Sequence, residues 1–355
     1  MSDLLVIGTG LIGTSLGLAA TSAGYRVQLA DGDPEHVRQA QAAGAGEART
    51  DDSPEPAIVV VAVPPSAAAA VIAEALRAHP RATVTDVCSV KAPVLAALAA
   101  DGADLRRVVG GHPMAGRETS GPGAASAELF HGRTWLLTPL PQTDPERIGH
   151  VRELAAATGA AVREMPAELH DKAVALTSHA PQVVSSLMAA RLAHSDPDTV
   201  AVAGQGLRDV VRIAGSDPGL WADILCTNAD EVTPVLASLR DDLAELLAAL
   251  EVADGAARGR VSKVIAAGNR GSALLPAKHG GVAASYVELP VEVPDAPGEL
   301  GRLFLVAGDA GVNLEDVRIE HTVGRLTAIA HLYVLPEVLP DLRDALRGGD
   351  WLVLE

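Results

Sequence analysis

The segment Gly8-Thr9-Gly10-Leu11-Ile12-Gly13 constrains this chain's fold more than any other, because it separates an apolar strand-like run from an alanine-rich helical one. The first glycine of such a turn permits the tight bend, the second lets the backbone approach a pyrophosphate, and the third lets helix and strand pack closely. The following helix then offers unpaired N–H groups and its positive dipole end to phosphate. A purely structural glycine-rich turn is the alternative, and the second half of the fingerprint argues against it. Asp31 ends the next strand eighteen positions after Gly13, where a carboxylate accepts from both ribose hydroxyls and repels a 2′-phosphate. No Arg or Lys follows in Gly32-Asp33-Pro34-Glu35, so the expected cofactor is NAD rather than NADP. Its expected contacts are Gly8, Gly10, Leu11, Ile12, Gly13 and Asp31. Asp33 is a rival for the ribose, but its position before Pro34 suits a helix cap better.

Around this turn, residues 4–7, 27–30, 58–63, 83–87 and 107–109 read as buried parallel strands alternating with Ala-rich helices. That pattern predicts a doubly wound, Rossmann-type α/β domain over 1–166. From there the strand signal vanishes, and residues 168–193, 199–213, 220–230 and 234–253 carry helical spacing. An all-α substrate and dimerisation domain over 167–275 follows. Its long apolar helices do not bury themselves alone, so a homodimer is expected. Residues 276–284 have linker composition, and 285–355 read in the order βαββαβ: strands at 286–293, 315–321, 326–334 and 351–354, helices at 298–310 and 340–347. This is the ferredoxin-like order.

Composition narrows the partners. The chain has 355 residues, 48% of them hydrophobic, enough for several cores, and with aromatics at 2% those cores must be built from Ala, Val and Leu. A formal charge of −17 without a basic cluster excludes nucleic acid and anionic membrane surfaces as partners. No apolar run has membrane-span length, and Met1-Ser2-Asp3 leads into a strand with no basic leader, so a cytoplasmic location is expected. Cys88 and Cys226 form neither a disulfide nor a metal spacing, and His36, His79 and His131 show no ligand spacing, so no metal is expected.

Candidate chemistry centres on Gly110-Gly111-His112-Pro113-Met114-Ala115-Gly116-Arg117-Glu118, which places His112 at the carboxyl end of a strand, where ligands sit in such sheets. The alternative is a packed loop histidine. Three further segments converge with it: Asp86-Val87-Cys88-Ser89-Val90-Lys91, Ser178-His179-Ala180-Pro181, and residues 204–221, GQGLRDVVRIAGSDPGLW.

With these motifs in this order, nearly the whole chain resembles the prephenate dehydrogenase family, which oxidatively decarboxylates prephenate or arogenate, with a C-terminal part resembling ACT modules. The resemblance implies that His112 takes the proton of the substrate's ring hydroxyl and that Ser89 shares a hydrogen bond with that hydroxyl. It implies that Arg212 binds a substrate carboxylate, with Arg208 one helical turn earlier, Glu118 and Asp209 at the pocket mouth, His179 near the substrate side chain and Trp221 at the active-site edge. Each has a plainer reading: a helix N-cap for Ser89, solvated or paired surface groups for Arg208, Asp209 and Glu118, core packing for His179 and Trp221. Independently, hydride departure from a carbon bearing a hydroxyl needs a base, and neutral imidazole near pKa 6.5 suits it, so activity is expected to fall as pH drops through that region. Gln182 stands where the family often has a second histidine, while Val211 and Arg117 also depart from its pattern. The ACT-like resemblance implies an amino-acid effector at the turn holding Asp295 and Gly298; a module that only stabilises a dimer is the other reading. Two rival functions remain: a β-hydroxyacid dehydrogenase using Lys172 as base, and a catalytically silent NAD- and amino-acid-sensing regulator.

Overall fold

The computed structural model describes residues 3–117, 119–252, 255–275, 286–321 and 326–354. Glu118 and the expected linker at 276–284 therefore lie outside the described residues. The chain forms two compact units, residues 1–240 and 241–355.

The first unit opens β1 (Asp3–Ile7), α1 (Leu11–Ser22), β2 (Arg26–Ala30), α2 (Pro34–Ala42), β3 (Glu47–Ala48), β4 (Ile58–Val61), α3 (Pro65–Ala78), β5 (Thr83–Asp86), α4 (Ala92–Ala100) and β6 (Val108–Pro113). It continues with β7 (Thr134–Pro139), α5 (Pro145–Ala157) and β8 (Ala161–Glu164). The eight strands form one sheet in the order β3-β2-β1-β4-β5-β6-β7-β8. Every neighbouring pair is parallel except β6 and β7, which are antiparallel. Side chains alternate across the sheet: Leu4 and Val6 enter the core shared with Leu16 and Trp135, whereas Leu5 enters the opposite one with Ile72 and Leu98. The sequence reading lacks β3, β7 and β8. Two of them are two- and four-residue edge pieces without a buried apolar run, so they carry no hydrophobic signal.

Gly111 shows why β6 carries paired glycines: a Cβ there would lie 2.5 Å from the Asp86 carbonyl oxygen. That closeness lets Lys91, 1% exposed, reach both the Asp86 carboxylate and the Gly111 carbonyl, the latter at 2.7 Å. A buried ion pair thus ties the end of β5 to β6, one residue before His112.

The helical run that follows comprises α6 (Ala167–Val174), α7 (Ala180–Leu192), α8 (Pro197–Ala201), α9 (Gln205–Val211), α10 (Pro218–Thr227) and α11 (Ala229–Val252). The single helix expected over 168–193 is interrupted by a π-helical turn at Ala175–His179. Pro181 lacks an N–H and its ring would clash with the carbonyl four residues back, so the backbone widens there. The helix expected over 199–213 is likewise split into α8, α9 and a 3₁₀ turn, Arg212–Gly215; Gly204 supplies the break.

In the second unit, beyond α12 (Ala257–Ser272), β9 (Val287–Pro294), α13 (Glu299–Asp309), β10 (Asp316–His321), β11 (Thr327–Val334), α14 (Leu339–Gly348) and β12 (Leu352–Val353) follow the anticipated strand-helix order. The sheet is antiparallel, ordered β10-β11-β9-β12, with Leu289, Val291, Leu303, Leu342 and Trp351 in its core. No helix among the described residues is long and apolar enough to cross a membrane.

Replacing Lys91 with Met would strand the Asp86 carboxylate in the core. Urea unfolding of Lys91→Met should register a loss of about 3–5 kcal/mol, the cost of breaking one side of a buried ion pair.

Candidate active site

A cavity of about 620 Å³ opens at the carboxyl ends of the parallel strands, between the glycine turn and the helical segments of the same unit. Gly10, Leu11 and Ile12 line one side; Ser89 and His112 line the floor; Arg212 and Trp221 line the far wall.

The glycine turn fits a dinucleotide. Gly8 has φ +99° and a Cβ there would lie 2.3 Å from the Ala62 carbonyl oxygen, while a Cβ on Gly13 would lie 1.8 Å from that of Gly8. Above Gly10 nothing lies within 4 Å of the missing Cβ, so the backbone at the start of α1 is open to a pyrophosphate. Asp31 already accepts from the Thr9 N–H at 2.5 Å, the Thr9 hydroxyl at 2.9 Å and the Asp33 N–H at 2.9 Å. Partial burial opposes its ionisation, yet these bonds outweigh burial and hold its carboxyl below the usual range. Three of roughly four acceptor positions are taken, and these bonds clamp β2 to the turn. Asp33 caps α2 by accepting from Glu35 N–H at 2.9 Å, as its sequence position implied.

His112 lies on β6 facing the cavity, and its Nδ1 is 2.7 Å from Nε2 of His170 on α6. His170 is fully buried, and its Nδ1 is in turn 2.7 Å from Oδ1 of Asp171. Burial first, then His170, Lys91 and His179, hold the His112 imidazole well below the usual histidine range. These surroundings favour the neutral imidazole, the form in which a histidine can accept a proton.

Ser89 lines the cavity but does not cap α4. That task falls to Asp171, whose carboxylate accepts from the N–H groups of Lys91 and Ala92 at 2.8 and 2.7 Å. His179 is 1% exposed and absent from the cavity lining. Its Nδ1 accepts from Asn228 at 3.1 Å, and its ring meets Trp221 edge-on. Burial, against the opposing pull of Asp171, pushes it down to about 4. At the π-turn, Thr177 and Ser178 line the cavity, whereas His179 is buried against Trp221 and its Nε2 has no hydrogen-bond partner among the described residues. Arg208 and Asp209 are exposed and outside this cavity, and Asp209 Oδ1 accepts from Gln205 at 2.9 Å. Gln182 does line it. In the second unit Asp295 and Gly298 are exposed, and the small cleft beside Arg302 and Trp351 includes neither. Among the described residues no group of three His, Cys, Asp or Glu could hold a metal.

Sequence reasoning missed His170 and Asp171. Their adjacency near the start of a helix was visible, but nothing local signals a partner 58 positions away.

This fold and cavity define a dinucleotide-dependent oxidoreductase. Family models for the prephenate dehydrogenase nucleotide-binding and dimerization domains match residues 16–164 and 166–259. A probable prephenate dehydrogenase of Streptomyces niveus is 37% identical, covering 99% of each chain, and the prephenate dehydrogenase of Bacillus subtilis is 30% identical over 90% of this chain and 88% of its own. The chain belongs to the prephenate dehydrogenase family. Its fold is similar to that of prephenate dehydrogenase from Aquifex aeolicus in complex with hydroxyphenyl propionate and NAD+, with TM-score 0.67 and 27% identity over 77% of this chain and 97% of that one.

Because its surroundings favour the neutral His112 imidazole, the acid limb of kcat/KM should lie below the reference value of about 6.5. Initial rates in constant-ionic-strength buffers would show it; a limb centred at 6.5 or higher would contradict the assignment.

Proposed function

We propose that this chain oxidatively decarboxylates prephenate with NAD, giving 4-hydroxyphenylpyruvate, CO2 and NADH. The observation that carries the reading is the convergence of His112, Ser89 and Arg212 on one cavity with the glycine turn. The nicotinamide, when bound, supplies the hydride acceptor. His112 takes the ring-hydroxyl proton as hydride leaves the carbon bearing it. Loss of the ring carboxylate as CO2 restores aromaticity, which drives the reaction forward, and the proton returns to the phenolic oxygen. Ser89 orients the hydroxyl, Arg212 pairs with a substrate carboxylate, and Trp221 closes the edge.

Arogenate, with an ammonium in place of the keto group, is the second reading, and one observation favours it. Gln182 donates its Nε2 to the Ile213 carbonyl at 3.0 Å and to Ser186 at 3.3 Å, which leaves Oε1 as an acceptor suited to an ammonium.

The finer assignments belong to the same proposal. Residues 1–166 bind the dinucleotide, 167–275 bind substrate and form the homodimer, and 285–355 act as an ACT-like ferredoxin fold. Exposed Leu239, Leu243, Leu247 and Leu250 recur along α11 at helical spacing, which supports the dimer. Two unpaired cysteines support a reducing, cytoplasmic setting. An amino-acid effector at the C-terminal unit completes the reading.

NADH formation followed spectrophotometrically with prephenate, arogenate and a simple hydroxy acid tests the function and ranks the substrates; no turnover with any of the three would leave the silent regulator. Under the same assay His112→Asn should lower kcat by about 10²–10⁴-fold, the usual worth of a general base. Arg212→Ala should raise KM for prephenate far more than for NAD, and Asp31→Ala the reverse.

A further inference from the structure

Four polar groups in line run from the cavity to a helix end: His112, His170, the Asp171 carboxylate, and the N–H groups of Lys91 and Ala92 that open α4. The last step sets the direction of the rest. Both Asp171 oxygens already accept main-chain N–H bonds, so toward His170 Nδ1, at 2.7 Å, Oδ1 can only accept. A neutral His170 therefore carries its one proton on Nδ1 and presents a bare Nε2 to His112. Against a neutral His170 at 2.7 Å, His112 donates its Nδ1–H there, and its own Nε2 is left with the lone pair.

We propose that His170 and Asp171 are positioning residues that hold His112 in the one neutral tautomer able to take a proton from substrate. This inference rests on His112 being the base. The other tautomer would aim an N–H at the substrate hydroxyl and could donate only. The same line of acceptors receives the Nδ1–H of the imidazolium formed when His112 gains its proton, as a buried carboxylate does for a catalytic histidine in serine hydrolases. The assembly is built rather than incidental. His170 and Asp171 are 0% and 1% exposed, and Asn228 holds the Asp171 main-chain carbonyl at 3.0 Å. Around His112 the other titratable groups are Lys91, already spent on Asp86 and the Gly111 carbonyl, and His179, whose Nδ1 is taken by Asn228. Neither competes for His112 Nδ1.

The decisive measurement needs no substrate. Nitrogen-15 histidine correlation spectra of the full-length protein at pH 7.5 should show His112, assigned by its loss in His112→Asn, with Nδ1 protonated and Nε2 bare; the reverse pattern overturns the proposal. Kinetics supply the second arm. His170→Phe removes the acceptor at similar volume and should lower kcat about 100-fold or more with KM changed less than threefold. His170→Gln, whose amide oxygen can accept at the Nε2 position, should recover at least tenfold of that loss. A folded His170→Phe with kcat within threefold of the parent overturns the proposal, as does a Gln variant no better than Phe. Wild-type turnover of prephenate tests the underlying reading separately: its absence would strike the function, while the spectra would still decide the tautomer.

Discussion

The carboxylate of Asp171 is the point on which the site depends. It accepts two N–H bonds at the start of α4 and faces His170 with the remaining capacity of Oδ1. A negative charge at a helix N-terminus is favoured by both the unpaired donors and the dipole, so burying it there carries its own compensation. Through that one group α6 is docked on α4, and the imidazole on β6 is given a fixed partner. The sheet supplies the position of His112; the clamp supplies its hydrogen-bond partner.

Charge is arranged to suit chemistry rather than stability. Lys91 and Asp86 are both almost wholly buried, an arrangement that costs desolvation on each side and offsets it by their mutual attraction and by the Gly111 carbonyl. Their effect on the site is to place a compensated cation beside His112, which together with burial keeps the imidazole neutral. A substrate with two carboxylates is meanwhile repelled at long range by a chain of net charge −17. Arg117 and Arg212 both stand on the cavity lining, and at physiological ionic strength a charge acts within a screening length of about 8 Å.

Much of this was legible in the sequence, and the parts that were not share a cause. The turn from Gly8 to Gly13 was readable because each glycine answers a local steric demand, and the structure places a carbonyl against two of the three. Ser89, His112, Arg212 and Trp221 stand in motifs whose order along the chain brings them to one cavity. His179 looked like their equal in sequence, yet the π-turn forced by Pro181 sends it inward. A shift of one backbone hydrogen-bond register decides which face a residue presents, and spacing alone does not record it. Arg208 and Asp209 stand apart for a similar reason: a helical turn on the page becomes a different surface once α9 ends in a 3₁₀ turn.

What the sequence determined by itself is the doubly wound sheet, the dinucleotide turn, the place of His112 at the end of a sheet strand and the strand-helix order of the C-terminal unit, because periodicity, glycine placement and motif order are local or linear properties. Only the tertiary structure decided that Asp31 clamps the glycine turn through Thr9 and that Asp171 rather than Ser89 caps α4. It alone decided that His112 is backed by His170. These facts are counts of donors and acceptors meeting across 22 to 80 positions of chain, and a hydrogen bond's partner is fixed by where the packed core brings the backbone.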